Sequence, residues 1–136
     1  MASVTRENGT VVNVGSGGMS TVAWSNPTNA QTCDNGSFAT QSFMVGMAGS
    51  ADQLKATNFG FSIDSGDTID GIIVTIQKKA QNIIRDAEVF ILNGDGSGGT
   101  GSTNKADTGT NWPTSEASVT YGTSSEKWGE TWTPAK

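Results

Sequence analysis

Residues 54–77 constrain this chain more than any other part of it. Phe59, Phe61 and Ile63 alternate with Gly60 and Ser62, and Ile72, Val74 and Ile76 alternate with Ile73, Thr75 and Gln77. Asp64-Ser-Gly-Asp67 stands between the two runs. A period of two built from aromatic and β-branched residues places side chains alternately on the two faces of a pleated strand. Asp, Ser and Gly are the residues of tight turns. The segment therefore reads as strand, turn, strand, with Ile72, Val74, Ile76, Val89 and Ile91 expected to line a core.

The rest of the chain agrees with an all-β class. Charged residues make up 15% of the 136, and 18 are glycine. Typical soluble domains are about one quarter charged, and long helices draw on that share, so helix is disfavoured. Further strands are expected at Thr10–Val14, Thr21–Trp24, Phe38–Met47, Ile83–Leu92 and Ser118–Tyr121. Gly15–Gly18 and Asn29–Gly36 read as turns, and Asn26-Pro27 as a breaker. Together these predict about seven to eight short strands in a single domain over residues 1–136, arranged as an antiparallel β-sandwich of jelly-roll type.

Charge and residue usage exclude several functions. The net charge is −5 and histidine is absent. Nucleic-acid binders cluster Lys and Arg, and here only Lys78-Lys79 are adjacent basic residues, read as a solvated strand end. Without histidine there is no Ser-His-Asp triad, no Cys-His pair and no histidine-based zinc site. Carboxylates for glycoside hydrolysis are scattered over Asp52, Asp64, Asp67, Asp70, Asp86, Glu88, Glu116, Glu126 and Glu130, mostly in turns, and no pair stands out. No enzymatic activity and no cofactor are expected. Cys33, alone, makes no internal disulfide and is expected to be small and partly buried, in keeping with assembly in a reducing cytoplasm. The N-terminal residues lack the basic start and apolar run of a signal peptide. No apolar run nears the roughly 18 residues of a membrane helix, so no membrane partner is expected.

Two segments invite functional readings. Residues 93–111 form a glycine-rich loop. Asn93, Asp95, Ser97 and Gly98 match part of an EF-hand loop, but its twelfth place holds Asn104 instead of a bidentate Glu. The loop is expected to be exposed and held by no metal. Trp112, Tyr121, Trp128 and Trp132 gather in the last quarter. Such rings can stack against the C–H faces of sugars. They can equally plug one end of a sandwich, which is the favoured reading. The Trp128–Pro134 segment has no closing strand after it. A sandwich that stops there leaves an open edge, so Trp128, Trp132 and Pro134 are expected at or near a contact with another chain.

Several motifs taken in order resemble a known group. Leu54-Lys-Ala-Thr-Asn-Phe-Gly-Phe-Ser-Ile63, Thr68-Ile-Asp-Gly-Ile-Ile-Val74, Gly101-Ser-Thr-Asn-Lys-Ala106, Trp112-Pro-Thr114, and Tyr121-Gly122 followed by Trp128-Gly-Glu-Thr-Trp-Thr-Pro-Ala135 look like β-sandwich proteins of tailed phages and prophages. The resemblance spans roughly residues 24 to 135. In that group a proline commonly stands where this chain has Asp64, and Asp-Leu-Trp-Gly where it has Glu126-Lys-Trp-Gly129. Similar chains run on into further strands. The resemblance implies a virion structural protein, assembled in the host cytoplasm as a head-decoration, head-fibre or tail-associated subunit. Its partners would be copies of itself or other virion proteins. It carries no catalytic residues. The alternative is a carbohydrate-binding module of an adhesin or receptor-binding protein, recognising a cell-surface glycan through Trp112, Tyr121, Trp128 and Trp132.

Overall fold

A computed structural model describes residues 2–15, 21–33, 36–44, 49–93 and 103–134. Most of the Gly15–Gly18 turn, the end of the expected Phe38–Met47 strand and the EF-hand-like stretch after Asn93 lie outside them. The chain gathers into two compact units, Met1–Phe61 and Ser62–Lys136. Among the described residues the regular structure is almost entirely β: β1 (Thr10–Val14), β2 (Thr21–Val22), β3 (Ser50–Ala51), β4 (Gln53–Thr57), β5 (Val74–Lys78) and β6 (Ala117–Tyr121), with one 3-10 turn over Pro27–Gln31. They form three sheets of two strands each: β1 with β4, β2 with β3, β5 with β6. The first and last are antiparallel, whereas β2 and β3 run parallel over two residue pairs.

In the first unit, β1 meets β4 with Val11 opposite Ala56 and Asn13 opposite Leu54. Directly opposed residues share a face. Val11 is 2% exposed, while Val12 and Val14 on the other face are 42% and 38% exposed. Asn13 also points inward, and its amide is satisfied there. Its Nδ2 donates to Asp52 Oδ2 at 2.9 Å and its Oδ1 accepts from Trp24 N at 2.9 Å. The Trp24 indole donates to Asp52 O at 2.7 Å. The 3-10 turn begins at Pro27, whose fixed φ suits a first helical position. It is tied to the start of β1 by Gln31 Nε2 donating to Gly9 O at 3.0 Å.

The expected hairpin over residues 54–77 is not the one formed. Its turn is present, with Asp67 N donating to Asp64 O at 2.9 Å. Its strands pair elsewhere: β4 with β1, and β5 with β6. The first run stops at Thr57 because Asn58 and Gly60 have φ of 58° and 66°. These left-handed residues break an extended path, and Phe59 and Phe61 are left exposed with their rings stacked at 6.1 Å. The second run starts late because Ile72 N already donates to Glu126 O at 3.0 Å.

Two other expected strands also yield. In Phe38–Met47 the strand pairing among the described residues is a single bridge, from Thr40 to Ser25. Residues 83–92 are irregular. Some of their backbone bonds go to a side chain, since Asn104 Oδ1 accepts from Val89 N at 3.0 Å and its Nδ2 donates to Ala87 O at 3.4 Å, while Ile84 O and Val89 O accept from Trp112 N and Lys105 N. An asparagine amide replaces what a neighbouring strand would supply. Of the expected core residues, Ile72, Val74, Val89 and Ile91 are half-buried, but Ile76 is 37% exposed. Cys33 is exposed, not partly buried.

Val11→Ala is expected to destabilise the chain by about 2 kcal/mol, the loss of a buried aliphatic side chain. Val12→Ala, on the open face of the same strand, should stay within about 0.5 kcal/mol of wild type. Denaturant melts of the two variants compare the faces, and equal effects would show that the inner face of β1 is misassigned.

Candidate functional site

The second unit is organised by the β5–β6 ribbon. Val74 faces Tyr121, Ile76 faces Val119 and Lys78 faces Ala117, so these six share one side. Thr75, Gln77, Ser118 and Thr120 share the other, where the Thr75 and Thr120 hydroxyls stand 3.5 Å apart. Lys78 is therefore an inward residue. It is 7% exposed, against the solvated strand end expected from the Lys78-Lys79 pair, and only Lys79 is exposed. A buried ammonium requires a partner, and Lys78 has two: Asp86 Oδ1 at 2.8 Å and the Tyr121 hydroxyl at 2.5 Å.

Asp86, 8% exposed, is the hub of the site. Oδ1 accepts from Lys78 Nζ and from the Trp112 indole at 2.7 Å. Oδ2 accepts from the Tyr121 hydroxyl at 2.6 Å and from Asp107 N at 3.2 Å. The Lys78 ammonium also lies 5.0 Å from the Trp112 ring centre and 5.2 Å from that of Tyr121, within cation–π range. Burial alone would raise the Asp86 carboxyl. The bonds from Lys78, Tyr121, Trp112 and the Asp107 backbone outweigh it and hold the carboxyl below the ordinary 3.8. While ionic, Asp86 thus contributes stability that is present above pH 3.8 and is lost as pH falls through its lower folded value. Tyr121 is shifted the other way. Burial first, and then its bond to Asp86, push the phenol well above the ordinary 10.0, so it remains a donor.

Asp107 closes the site from the loop side. Its Oδ1 accepts from Gly109 N and Thr110 N at 3.0 Å each in an Asx turn, and the Thr110 side chain first, with these backbone bonds after it, holds its carboxyl below the usual range. A cavity of about 280 Å³ opens beside it, with Lys78, Asp107, Asn111, Pro113 and Val119 among its walls.

The four rings anticipated as a platform are drawn inward. Trp128 is fully buried, Tyr121 and Trp132 are 5% and 8% exposed, and Trp112 is half-buried. Each indole N–H of the three is used: Trp112 on Asp86, Trp128 on Ile72 O at 2.8 Å, Trp132 on Lys127 O at 2.8 Å. Trp128 reaches its place with φ of 54°, and Gly122 makes room for it. A Cβ on Gly122, itself at φ 76°, would lie 2.5 Å from Ile72 O and 2.6 Å from Trp128 Nε1. Trp128 and Trp132 are thus internal plugs of their own unit, and Pro134 beside them is half-buried. Trp112 and Tyr121 meet at the hub, while Trp128 and Trp132 serve the terminal loop. Lys78 and Asp86 were not singled out by sequence. The available signal was the period of two, which puts Lys78 on the face of Val74 and Ile76.

Two measurements probe the hub. Asp86→Ala leaves Lys78 buried without its carboxylate and is expected to destabilise the chain by about 3–5 kcal/mol. The double change Lys78→Met with Asp86→Leu should recover most of that loss in the same melts. Because the folded phenol is raised above its unfolded value, Tyr121 contributes stability that is full below pH 10.0 and is lost as pH rises toward the folded value. Tyr121→Phe should therefore flatten the fall of Tm on the alkaline side of pH 10.0. No family model, curated protein or solved structure matches this chain.

Proposed function

We propose that this chain is a structural subunit of a tailed-phage virion, acting by assembly and surface presentation as a head-decoration, head-fibre or tail-associated protein. The observation that carries the assembly reading is the state of the strands. Each sheet is two strands wide among the described residues, which leaves outer edges with backbone donors and acceptors. Edges of this kind pair with further strands, and two-stranded ribbons gain independent stability from added partners. Apolar strand and loop residues are exposed as well. In the first unit these are Val12, Val14 and Val22. In the second they are Ile73 at 53%, Ile83 at 76%, Ile76 and Phe90. Strands supplied by copies of this chain or by other virion proteins would complete a β-sandwich of jelly-roll type and cover that surface.

The choice of a phage particle rests on the ordered motifs from Leu54–Ile63 to Trp128–Ala135. Assembly in the host cytoplasm and residence in the virion follow from that choice. Tyr121, Trp128 and Trp132 are buried and only Trp112 of the four rings is half-buried, so the structural reading is preferred to the glycan-binding alternative.

Light scattering of the purified chain over a concentration series is expected to show a defined oligomer, and probing of purified phage particles should find the chain in them. A monomer at every concentration that is also absent from particles would remove the proposal.

A further inference from the structure

We propose that Lys78 and Asp86 condense to an amide, an intramolecular cross-link formed by the folded chain itself. Three features of the hub support it. The first is juxtaposition. Nζ and Oδ1 lie 2.8 Å apart, with the two side chains 6% and 4% exposed. Intramolecular groups that are well aligned reach effective concentrations of about 10⁵ M and upward. The second is the placement of donors. The Trp112 indole at 2.7 Å from Oδ1 stabilises negative charge on the oxygen that remains as the amide carbonyl. The third is a path for protons. The Tyr121 hydroxyl accepts from Lys78 Nζ at 2.5 Å and donates to Asp86 Oδ2 at 2.6 Å, so it links the attacking nitrogen to the departing oxygen.

The step balances with the atoms already present. The ion pair is an ammonium with three protons and a carboxylate. One proton passes from Nζ through the Tyr121 hydroxyl to Oδ2, and the nitrogen lone pair attacks Asp86 Cγ. A second proton follows the same path, the Cγ–Oδ2 bond breaks with its electron pair, and Oδ2 leaves as water. The nitrogen keeps its third proton as the amide N–H. The positive and negative charges cancel, and no oxidant or other reactant is required. Burial favours the product, since two desolvated charges are replaced by a neutral amide and the water departs to solvent. Tyr121 is the proton-relay residue and Trp112 the oxyanion donor. The amide would pin the irregular segment around Asp86 to β5, and it would abolish the acid-side loss of stability that an ionic Asp86 imposes.

Mass spectrometry of the folded, then denatured, full chain decides the matter without a variant. The expected mass is one water below that of the sequence. Trypsin should fail to cut after Lys78 and should yield a branched peptide joining Lys78 to Asp86. Lys78→Arg should keep its full mass. Tyr121→Phe should link about 100-fold more slowly, the typical contribution of a positioned acid–base group. A folded wild-type chain that keeps its full mass and is cut after Lys78 would overturn the proposal. Linking by Tyr121→Phe as fast as by wild type would overturn the relay.

Discussion

The Asp86 carboxylate is the interaction on which the second unit depends. Four donors from four places in the sequence converge on its two oxygens: the Lys78 ammonium from β5, the Tyr121 hydroxyl from β6, the Trp112 indole and the Asp107 backbone N–H. Apart from Asp107 N on the exposed loop, each donor is buried or half-buried. Without the carboxylate the Tyr121 hydroxyl and the Trp112 indole would lose this acceptor, while Lys78 would keep only the Tyr121 hydroxyl. The ribbon alone buries little. Its inward face offers Val74, Ile76, Ala117 and Val119, and Ile76 is partly open. A chain with so few large aliphatic residues closed off from water relies on directional bonds to choose one arrangement. The charged hub supplies that choice by bringing all four donors to one carboxylate.

The first unit applies the same logic without charge pairing. Asn13 stands on the inner face of β1, where an apolar residue would be the usual occupant. Its amide bonds Trp24 N and Asp52 Oδ2, and the Trp24 indole bonds Asp52 O. A short strand, a loop and the residue between β3 and β4 are thereby held to β1. In both units a polar side chain within a strand collects loops that lack strand partners. Asn104 does so again for residues 87–89. The regular β content is small because side-chain amides and carboxylates take over bonds that a ladder would otherwise make.

That substitution explains which features the sequence disclosed. Strand β1 was legible to the residue, since Thr10–Val14 is a β-branched run bounded by glycine. β6 was legible within one residue for the same reason. The 54–77 pattern correctly announced two strands and the Asp64–Asp67 turn, but misassigned their partners. Periodicity reports which side of a strand is apolar and is silent on which strand lies beside it. The left-handed Asn58 hides in the pattern as well, because asparagine tolerates both that conformation and an extended one. Residues 83–92 carry apolar side chains on both faces and read as a central strand. The deciding residue was Asn104, distant in sequence and unremarkable except as a failed calcium ligand. The hub was legible only in half. The inward phase of Lys78 follows from its register with Val74, whereas Asp86 looked like any other loop carboxylate.

The fate of the tryptophans shows why composition alone misleads about a site. Clustered rings in a loop-rich region suggest a surface for ligands, yet a ring with its N–H committed to a backbone carbonyl is already in use. Trp128 and Trp132 donate to Ile72 O and Lys127 O and fill the space under their own loop. The apolar side chains exposed among the described residues are Ile73, Ile76, Ile83 and Phe90 in the second unit, and Val12, Val14, Phe59 and Phe61 among those of the first. The indole rings of the second unit are turned inward, and β-branched side chains stand exposed on the two-stranded sheets. Backbone edges flanked by exposed aliphatic side chains match the chemistry of another strand, whose own N–H, C=O and alternate side chains complement both. Of the four rings in the last quarter, Tyr121, Trp128 and Trp132 are closed off from solvent and Trp112 is half-buried. Rings turned inward on their own loops, with β-branched side chains left at the surface, are the features on which the proposed assembly role rests.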